Sequence, residues 1–273
     1  MWREREDFRR LAAAPGMFAA LNVTTGAAWL SFFHGLKHLE PAVAATLYNG
    51  IGPFAVLALG SLEWVPKRST TSPGERLCYI GLAGVLAALV AVVLSDRSGL
   101  SSPGIAVQAG ALAAVVAGGV MIAISHMLAR WFNEQRVGSI ALMGTRFLLG
   151  FSIAVGMEAT ADSAMRPALA GALILGLAVF AILTVPSFML QLGIARASPL
   201  AVNIIRALGP VSVFAVQQVD GRLKFSDATL FCIRAFCILA VAASVFRAWS
   251  EAHGDRMGPP FKSGGEARGG SSA

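Results

Sequence analysis

Residues 35–63 read GLKHLEPAVAATLYNGIGPFAVLALGSLE, and residues 193–220 read GIARASPLAVNIIRALGPVSVFAVQQVD, so one stretch recurs about 158 residues later. Both copies lie in apolar, helix-length sequence. They are five apolar segments apart, and because five is odd, they would cross a membrane in opposite directions. Inverted repeats of this kind are a recurring architecture of secondary transporters. The residues that return in order are Gly35, Pro41, Pro53 and Glu63, matched by Gly193, Pro199, Pro210 and Asp220.

The composition is that of a membrane protein. Of the 273 residues, 56% are hydrophobic and 14% are charged, and the mean hydropathy is +0.67, whereas soluble domains carry roughly 25% charged residues. The net charge of +7 arises in loops and termini, with no basic patch interleaved with aromatic residues, so nucleic acid is not a predicted partner. Three cysteines lie in apolar segments without a CxxC spacing and are interpreted as core residues: Cys78, Cys232 and Cys237.

Eight apolar segments reach the roughly 20 residues that a transmembrane helix needs. They do not alternate in polarity as the shorter strands of a membrane barrel do. We therefore predict an all-α membrane protein with about eight transmembrane helices. No cleavable signal peptide is recognised, because the first apolar run is long enough to span. The predicted segments are 13–36, 41–62, 77–95, 104–130, 137–158, 168–195, 199–218 and 227–248.

The two repeats are unequal in length. Segments one to three pair with segments six to eight, whereas segments four and five would need partners before segment one. The chain is thus three plus five helices where the symmetry asks for five plus five. The predicted organisation is a charged cytoplasmic segment 1–12, an incomplete first repeat 13–95, a second repeat 104–248 and a disordered cytoplasmic tail 249–273 rich in Gly, Ser and Pro.

The distribution of basic residues predicts the orientation. The side that holds both termini receives 14 of the 22 Lys and Arg residues, the other side receives 5, and the remaining three lie within spans. The positive-inside rule then places both termini in the cytoplasm, with the chain integral to the cell (inner) membrane. The turn before Pro41 lies outside and the matching turn before Pro199 lies inside, which agrees with the inversion by an independent argument.

Two matched Gly-Pro pairs are candidate helix breaks. They are Gly52–Pro53 in the second segment and Gly209–Pro210 in the seventh. A proline within a helix removes one backbone hydrogen bond and clashes with the preceding turn. Because freed carbonyls at membrane depth are tolerated where they face protein or a watery cavity, matched breaks indicate a central binding site. The alternative is that these prolines only shape packing.

Three arginines, Arg146, Arg206 and Arg234, lie inside predicted spans. Charges at this depth are costly and usually face an interior, and no Asp or Glu lies well inside a span to pair with them. We therefore interpret Arg146, the deepest, as a contact for an anionic substrate group such as a carboxylate. The alternative is that these arginines snorkel or bond to carbonyls and water.

Other polar and aromatic residues of the apolar segments are candidates for the same site. Asn22, Trp29 and Phe33 fall near one helical face. For any single residue, packing or an interhelical hydrogen bond remains the alternative. The predicted substrate-binding set is Trp29, Tyr48, Asn49, Arg146, Phe188, Gln191, Asn203 and Arg206.

Enzyme motifs are absent from the sequence. It contains no G-x-S-x-G, H-E-x-x-H or P-loop pattern. His34 and His126 have no metal-ligand partner at i+3 or i+4. We therefore expect neither an enzyme nor a cofactor or metal, and any transport would be secondary.

The order of these motifs resembles EamA-like permeases of the drug/metabolite transporter superfamily. The stretch from Trp29 to Pro53 is similar to that family's third and fourth helices, and Gln191 to Pro210 is similar to their relative in the second repeat. The resemblance spans residues 13–248 and rests on degenerate motifs. Two further matches are Arg146-Phe-Leu-Leu-Gly, similar to the arginine-started segment of a repeat's second helix, and Glu63 and Asp220, placed like the acidic residue after the proline helix.

The resemblance implies two five-helix repeats, cytoplasmic termini and a central cavity lined from both repeats. The charged stretch 2–11 is similar to the family's loop between helices two and three, so the family's first two helices would be missing. The expectation is a secondary permease that exports small anionic or amphoteric metabolites by alternating access. The alternative is a non-transporting truncated or scaffold membrane protein, and a partner chain or homodimer could supply the missing helices.

Overall fold

The computed structural model describes residues 2–59, 72–100, 104–160, 209–219 and 223–254, together with positions 174, 177, 185, 188 and 189. This part of the chain is helical and contains no β-strand. Its continuous helices, numbered here in chain order, are α1 Trp2–Ala13, α2 Pro15–His38, α3 Pro41–Gly50, α4 Gly52–Leu59, α5 Pro73–Leu94, α6 Ile105–Glu134, α7 Ser139–Thr145, α8 Leu148–Thr160, α9 209–217 and α10 Asp227–Gly254.

Within the described ranges, six helices or helix pairs are long and apolar enough to cross a membrane. They correspond to the first five predicted segments and to the eighth, and they indicate a membrane-embedded protein. The sixth and seventh predicted segments, 168–195 and 199–218, lie largely outside the described residues, so eight spans and the repeat architecture stay predictions. The six are Pro15–His38, Pro41–Leu59, Pro73–Leu94, Ile105–Glu134, Ser139–Gly156 and Asp227–Ser250.

Local sequence sets where several of these helices begin. Pro15, Pro41 and Pro73 each stand in the first turn of a helix, where the missing N–H has no intrahelical partner to lose. The hydroxyl of Ser72 also caps α5 by accepting the backbone N–H of Glu75 at 3.2 Å.

Helices lie at both ends of the described chain. The charged segment 1–12 contributes most of helix α1, which docks through Arg10 onto the backbone carbonyl of Arg136 at 2.9 Å. Helix α10 continues to Gly254, past residue 249 where the tail was predicted to begin. The sequence between has no glycine or proline to stop the helix, and a glycine is a common helix end.

Two apolar clusters hold the bundle together. The larger joins α3, α5, α6, α9 and α10, and α5 runs along α10 within it. The smaller joins α1, α2, α6 and α7, where α2 runs along α6. Fully buried members include Val43, Leu89, Val115 and Ile233 in the larger cluster and Leu21, Phe132 and Leu142 in the smaller.

Gly119 of α6 allows the end of α3 to pack closely against α6. A Cβ atom at this position would lie 2.0 Å from Ile51 Cγ2 and 2.8 Å from the carbonyl oxygen of Tyr48. Only a glycine admits the backbone of α3 at that distance. The contact therefore presses the end of α3 against the middle of α6.

Two spans are interrupted. The second is divided at Ile51, between α3 and α4, directly before Gly52 and Pro53. The fifth was predicted as one helix, 137–158, but it is divided into α7 and α8 at Arg146 and Phe147. The Thr145 hydroxyl bonds the carbonyl of Ala141 at 2.7 Å, and back-bonding of this kind often bends helices.

Candidate functional site

Arg146 lies in the break between α7 and α8, within a membrane-length span. Its side chain is buried, at 6% exposure. The described ion pairs, Glu6–Arg10 and Arg130–Glu134, do not involve it. Within the part of the chain that the structure describes, its Nε also has no hydrogen-bond partner. The site therefore presents a buried cation whose charge these residues do not neutralise.

Two hydroxyl groups fix the position of the guanidinium. Arg146 Nη2 donates to Ser125 Oγ at 3.0 Å, and Ser125 Oγ lies 2.6 Å from Thr25 Oγ1. Both hydroxyl residues are fully buried. Because Ser125 accepts from the arginine, its own proton can be donated to Thr25. The chain of three side chains links α2, α6 and the α7–α8 break.

Aromatic rings form one wall around this cation. The Arg146 Cζ atom lies 5.5 Å from the ring centroid of Phe147, within cation–π range. Trp29 lies 6.4 Å from the same ring, centroid to centroid. Tyr48 lies 4.7 Å from Phe32, ring centroid to ring centroid, and Phe32 lies 6.3 Å from Trp29. Aromatic faces beside an arginine suit a planar or amphoteric ligand.

Asn22 supports the break from the neighbouring helix. Its Oδ1 accepts the backbone N–H of Leu149 at a long 3.4 Å, and its Nδ2 donates to the carbonyl of Phe18 at 3.2 Å. Leu149 stands in the first turn of α8, where backbone N–H groups lack intrahelical acceptors. Asn22 therefore caps α8 from the α2 face that also carries Thr25 and Trp29.

Two of the predicted substrate-binding residues, Trp29 and Arg146, both contact Phe147, and a third, Tyr48, is linked to Trp29 through Phe32. Asn49 lies on α3 and donates to the carbonyl of Ala45 at 2.9 Å, and Phe188 is helical and half-buried. No described contact joins Phe188 to Arg146. Gln191, Asn203 and Arg206 lie outside the described residues. Gly209 and Pro210 begin the described range 209–219, so a break there is not tested.

Sequence inspection did not single out Thr25, Ser125 or Phe147. A signal for Thr25 was present, because it stands three residues after Asn22 and four before Trp29, on the helical face already named. Ser125 had no comparable signal, since a small hydroxyl in an apolar helix commonly bonds its own backbone. Only the packing of α2 on α6 joins these two hydroxyls.

The described residues contain no cluster of three or more His, Cys, Asp or Glu side chains that could hold a metal ion. Cys78, Cys232 and Cys237 are buried, as the sequence predicted, and no disulfide is formed among them. The chemistry that this arrangement offers is recognition of an anionic or aromatic group.

No protein-family model matches the chain, and neither the curated proteins nor the solved structures give a significant match.

Proposed function

We propose that the chain is a secondary permease for small metabolites that carry an anionic group, and that Arg146 binds this group. The main support for this proposal is that the guanidinium is buried and has no carboxylate partner among the described residues. A buried charge is costly unless it is paired. An anionic substrate would supply the missing charge each time it binds.

The surroundings of Arg146 support this proposal over a purely structural role. Intramembrane arginines usually mark substrate or ion pathways. Snorkelling to the membrane surface does not describe Arg146, because its side chain is buried and bonded to Ser125. The helix break beside it resembles the interrupted helices at transporter binding sites.

The proposed mechanism is alternating access between two inverted repeats, as in EamA-like permeases. One observation supports the repeat: α5 packs against α10, and these helices correspond to segments three and eight, which the repeat relates to each other. Elements related by a two-fold axis contact each other when the axis passes between them. Rocking of one repeat against the other would expose Arg146 to each side in turn, and we propose export as the direction.

The test is counterflow in proteoliposomes with a panel of radiolabelled small carboxylates and amino acids. We expect at least one compound to accumulate, and Arg146→Gln to lower its flux at least about tenfold, equivalent to about 1.4 kcal/mol. Arg234→Gln is the matched control, since it removes a charge from an exposed position within a span. Equal flux in the Arg146→Gln variant and the wild type would exclude the pathway role. No flux with any compound in the wild type would favour a non-transporting protein.

A further inference from the structure

A buried carboxylate lies outside the Arg146 site, in the turn between α2 and α3. Glu40 is 1% exposed and directly precedes the first residue of α3. Its Oε2 accepts the backbone N–H of Gly99 at 2.9 Å and the hydroxyl of Thr229 at 3.1 Å. Its Oε1 accepts the side-chain amide of Gln217. Three donors for two oxygens satisfy an ionised carboxylate, which only accepts hydrogen bonds.

The three donors come from elements far from Glu40 in sequence. Gly99 lies in the connection before α6, Gln217 is the last residue of α9, and Thr229 lies in the first turn of α10. Gln217 also holds the start of α3, because its Oε1 accepts the backbone N–H of Ala42 at 3.0 Å. One carboxylate thus joins the α2–α3 turn to the α5–α6 connection, to α9 and to α10.

Beside this carboxylate, the α5–α6 connection also contacts the residues that lead into α10. The backbone N–H of Lys224 donates to the carbonyl of Gly99 at 2.8 Å. A Cβ atom on Gly99 would lie 2.2 Å from the carbonyl oxygen of Lys224 and 3.5 Å from the carboxyl carbon of Glu40. The α5–α6 connection is therefore held both by Glu40 and by the backbone of Lys224.

All three donors to Glu40 are neutral groups. Charged residues lie near it on the elements that meet there, but none of them forms an ion pair with Glu40 in the described ranges. Residues 209–219, which include α9, contain no charged residue. The neighbouring charged and titratable residues are Lys37 and His38 on α2, Asp96 and Arg97 before Gly99, and Lys224 and Asp227 around the start of α10.

The effect of a proton on Glu40 depends on which carboxylate oxygen binds it. On Oε2, the proton can be donated to the Thr229 hydroxyl, which can rotate to accept it. On Oε1, it would face the NH2 group of Gln217, and turning that amide would give up its bond to Ala42. Protonation at Oε2 keeps the contacts but removes the charge, and neutral hydrogen bonds are about half as strong.

We propose that Glu40 is a proton-binding latch that joins the α2–α3 turn to the α5–α6 connection, to α9 and to α10. The ionised carboxylate keeps the latch closed. A proton taken from the aqueous phase weakens the bonds to Gly99 and Gln217, so that the turn holds the α5–α6 connection and α9 less firmly. This site is separate from Arg146, and the inference does not depend on transport.

The test is amide hydrogen exchange of the full chain in nanodiscs, compared between about pH 8 and about pH 4. The amide of Gly99 reports directly, because it donates to Glu40, whereas the amide of Lys224 donates to the carbonyl of Gly99 and is the internal reference. After correction for the intrinsic pH dependence of exchange, we expect protection of the Gly99 amide to fall at least about tenfold on acidification, and by more than that of the Lys224 amide.

Glu40→Gln should give low protection across the whole range, because a neutral amide cannot accept from all three donors. Asp96→Asn is the matched control, since it neutralises an exposed carboxylate in the same connection and asparagine tolerates its positive φ of 57°. That variant should keep the wild-type profile. Constant protection in the wild type would overturn the proposal whatever the variants do, and so would a wild-type pH profile in Glu40→Gln.

Discussion

The guanidinium of Arg146 donates a 3.0 Å hydrogen bond to the hydroxyl of Ser125, which joins the α7–α8 break to the middle of α6. A hydroxyl fixes the position of a guanidinium without neutralising it, unlike a carboxylate. Among the described residues no carboxylate pairs with Arg146, so its charge is held in place without being neutralised there. A precisely held side chain is one requirement of a binding site.

Ser125→Ala removes the acceptor that orients Arg146. We expect the variant to insert into the membrane but to lose about 1–3 kcal/mol of stability, because a buried donor is left without its partner. Thermal unfolding of the purified protein in detergent measures this loss. Ser152→Ala is the control, since that hydroxyl lies on an exposed face and bonds only the carbonyl of Leu148 among described partners. Equal losses in the two variants would contradict the positioning role.

Arg146→Lys keeps the positive charge but changes its shape. A lysine has a compact ammonium group and cannot make the forked contacts of a guanidinium. We expect flux to persist with a half-saturation concentration raised about tenfold, equivalent to about 1.4 kcal/mol. Concentration-dependent uptake in proteoliposomes gives this value. Wild-type uptake in this variant would show that only the charge is needed.

Gly119→Ala places a Cβ atom 2.0 Å from Ile51 Cγ2 and 2.8 Å from a backbone oxygen of Tyr48. We expect a destabilisation of about 1–3 kcal/mol from overpacking, because the backbone oxygen cannot move aside as a flexible side chain would. Gly110→Ala in the same helix has no neighbouring atom within 4 Å. It should be neutral or gain up to about 1 kcal/mol of helix propensity. Similar melting temperatures for the two variants would refute the close approach.

Pro53→Ala restores an N–H group to the start of α4. We expect the helix to become more regular across Ile51, so that thermal stability is kept or raised while flux falls about tenfold, equivalent to about 1.4 kcal/mol. The physical reason is that a proline within a helix removes a backbone bond and favours a bend.

Pro73→Ala is the matched control, because this proline begins α5 directly after the extended residue Ser72, whereas Pro53 follows the end of α3 by only three residues. The missing N–H of Pro73 therefore interrupts no preceding helix and costs little. Stability and flux should both remain near wild type in that variant. If Pro53→Ala also transports normally, the break at Ile51 is only a packing feature.

The local sequence contains a reason for the break at Ile51 but not for the break at Arg146. The first lies directly before Gly52 and Pro53, and the missing N–H of Pro53 is a local chemical reason for it. The second occurs without a proline, where Thr145 bonds back to Ala141 and Asn22 reaches the backbone of Leu149 from another helix. Because Asn22 belongs to another helix, the sequence of the fifth segment alone does not reveal its contact with Leu149.

The sequence by itself determined the six membrane-length helices that the structure describes, because apolar runs and prolines are local properties of the chain. It also made Arg146 a candidate, because a lone charge in an apolar segment is visible locally. Only the tertiary structure decided which polar groups meet. Thr25 and Ser125 are 100 positions apart, and Glu40 and Gln217 are 177 apart. Their pairing depends on which helix faces touch, and that is set by the fit of small residues such as Gly119 against α3. Nothing in either segment alone specifies that fit.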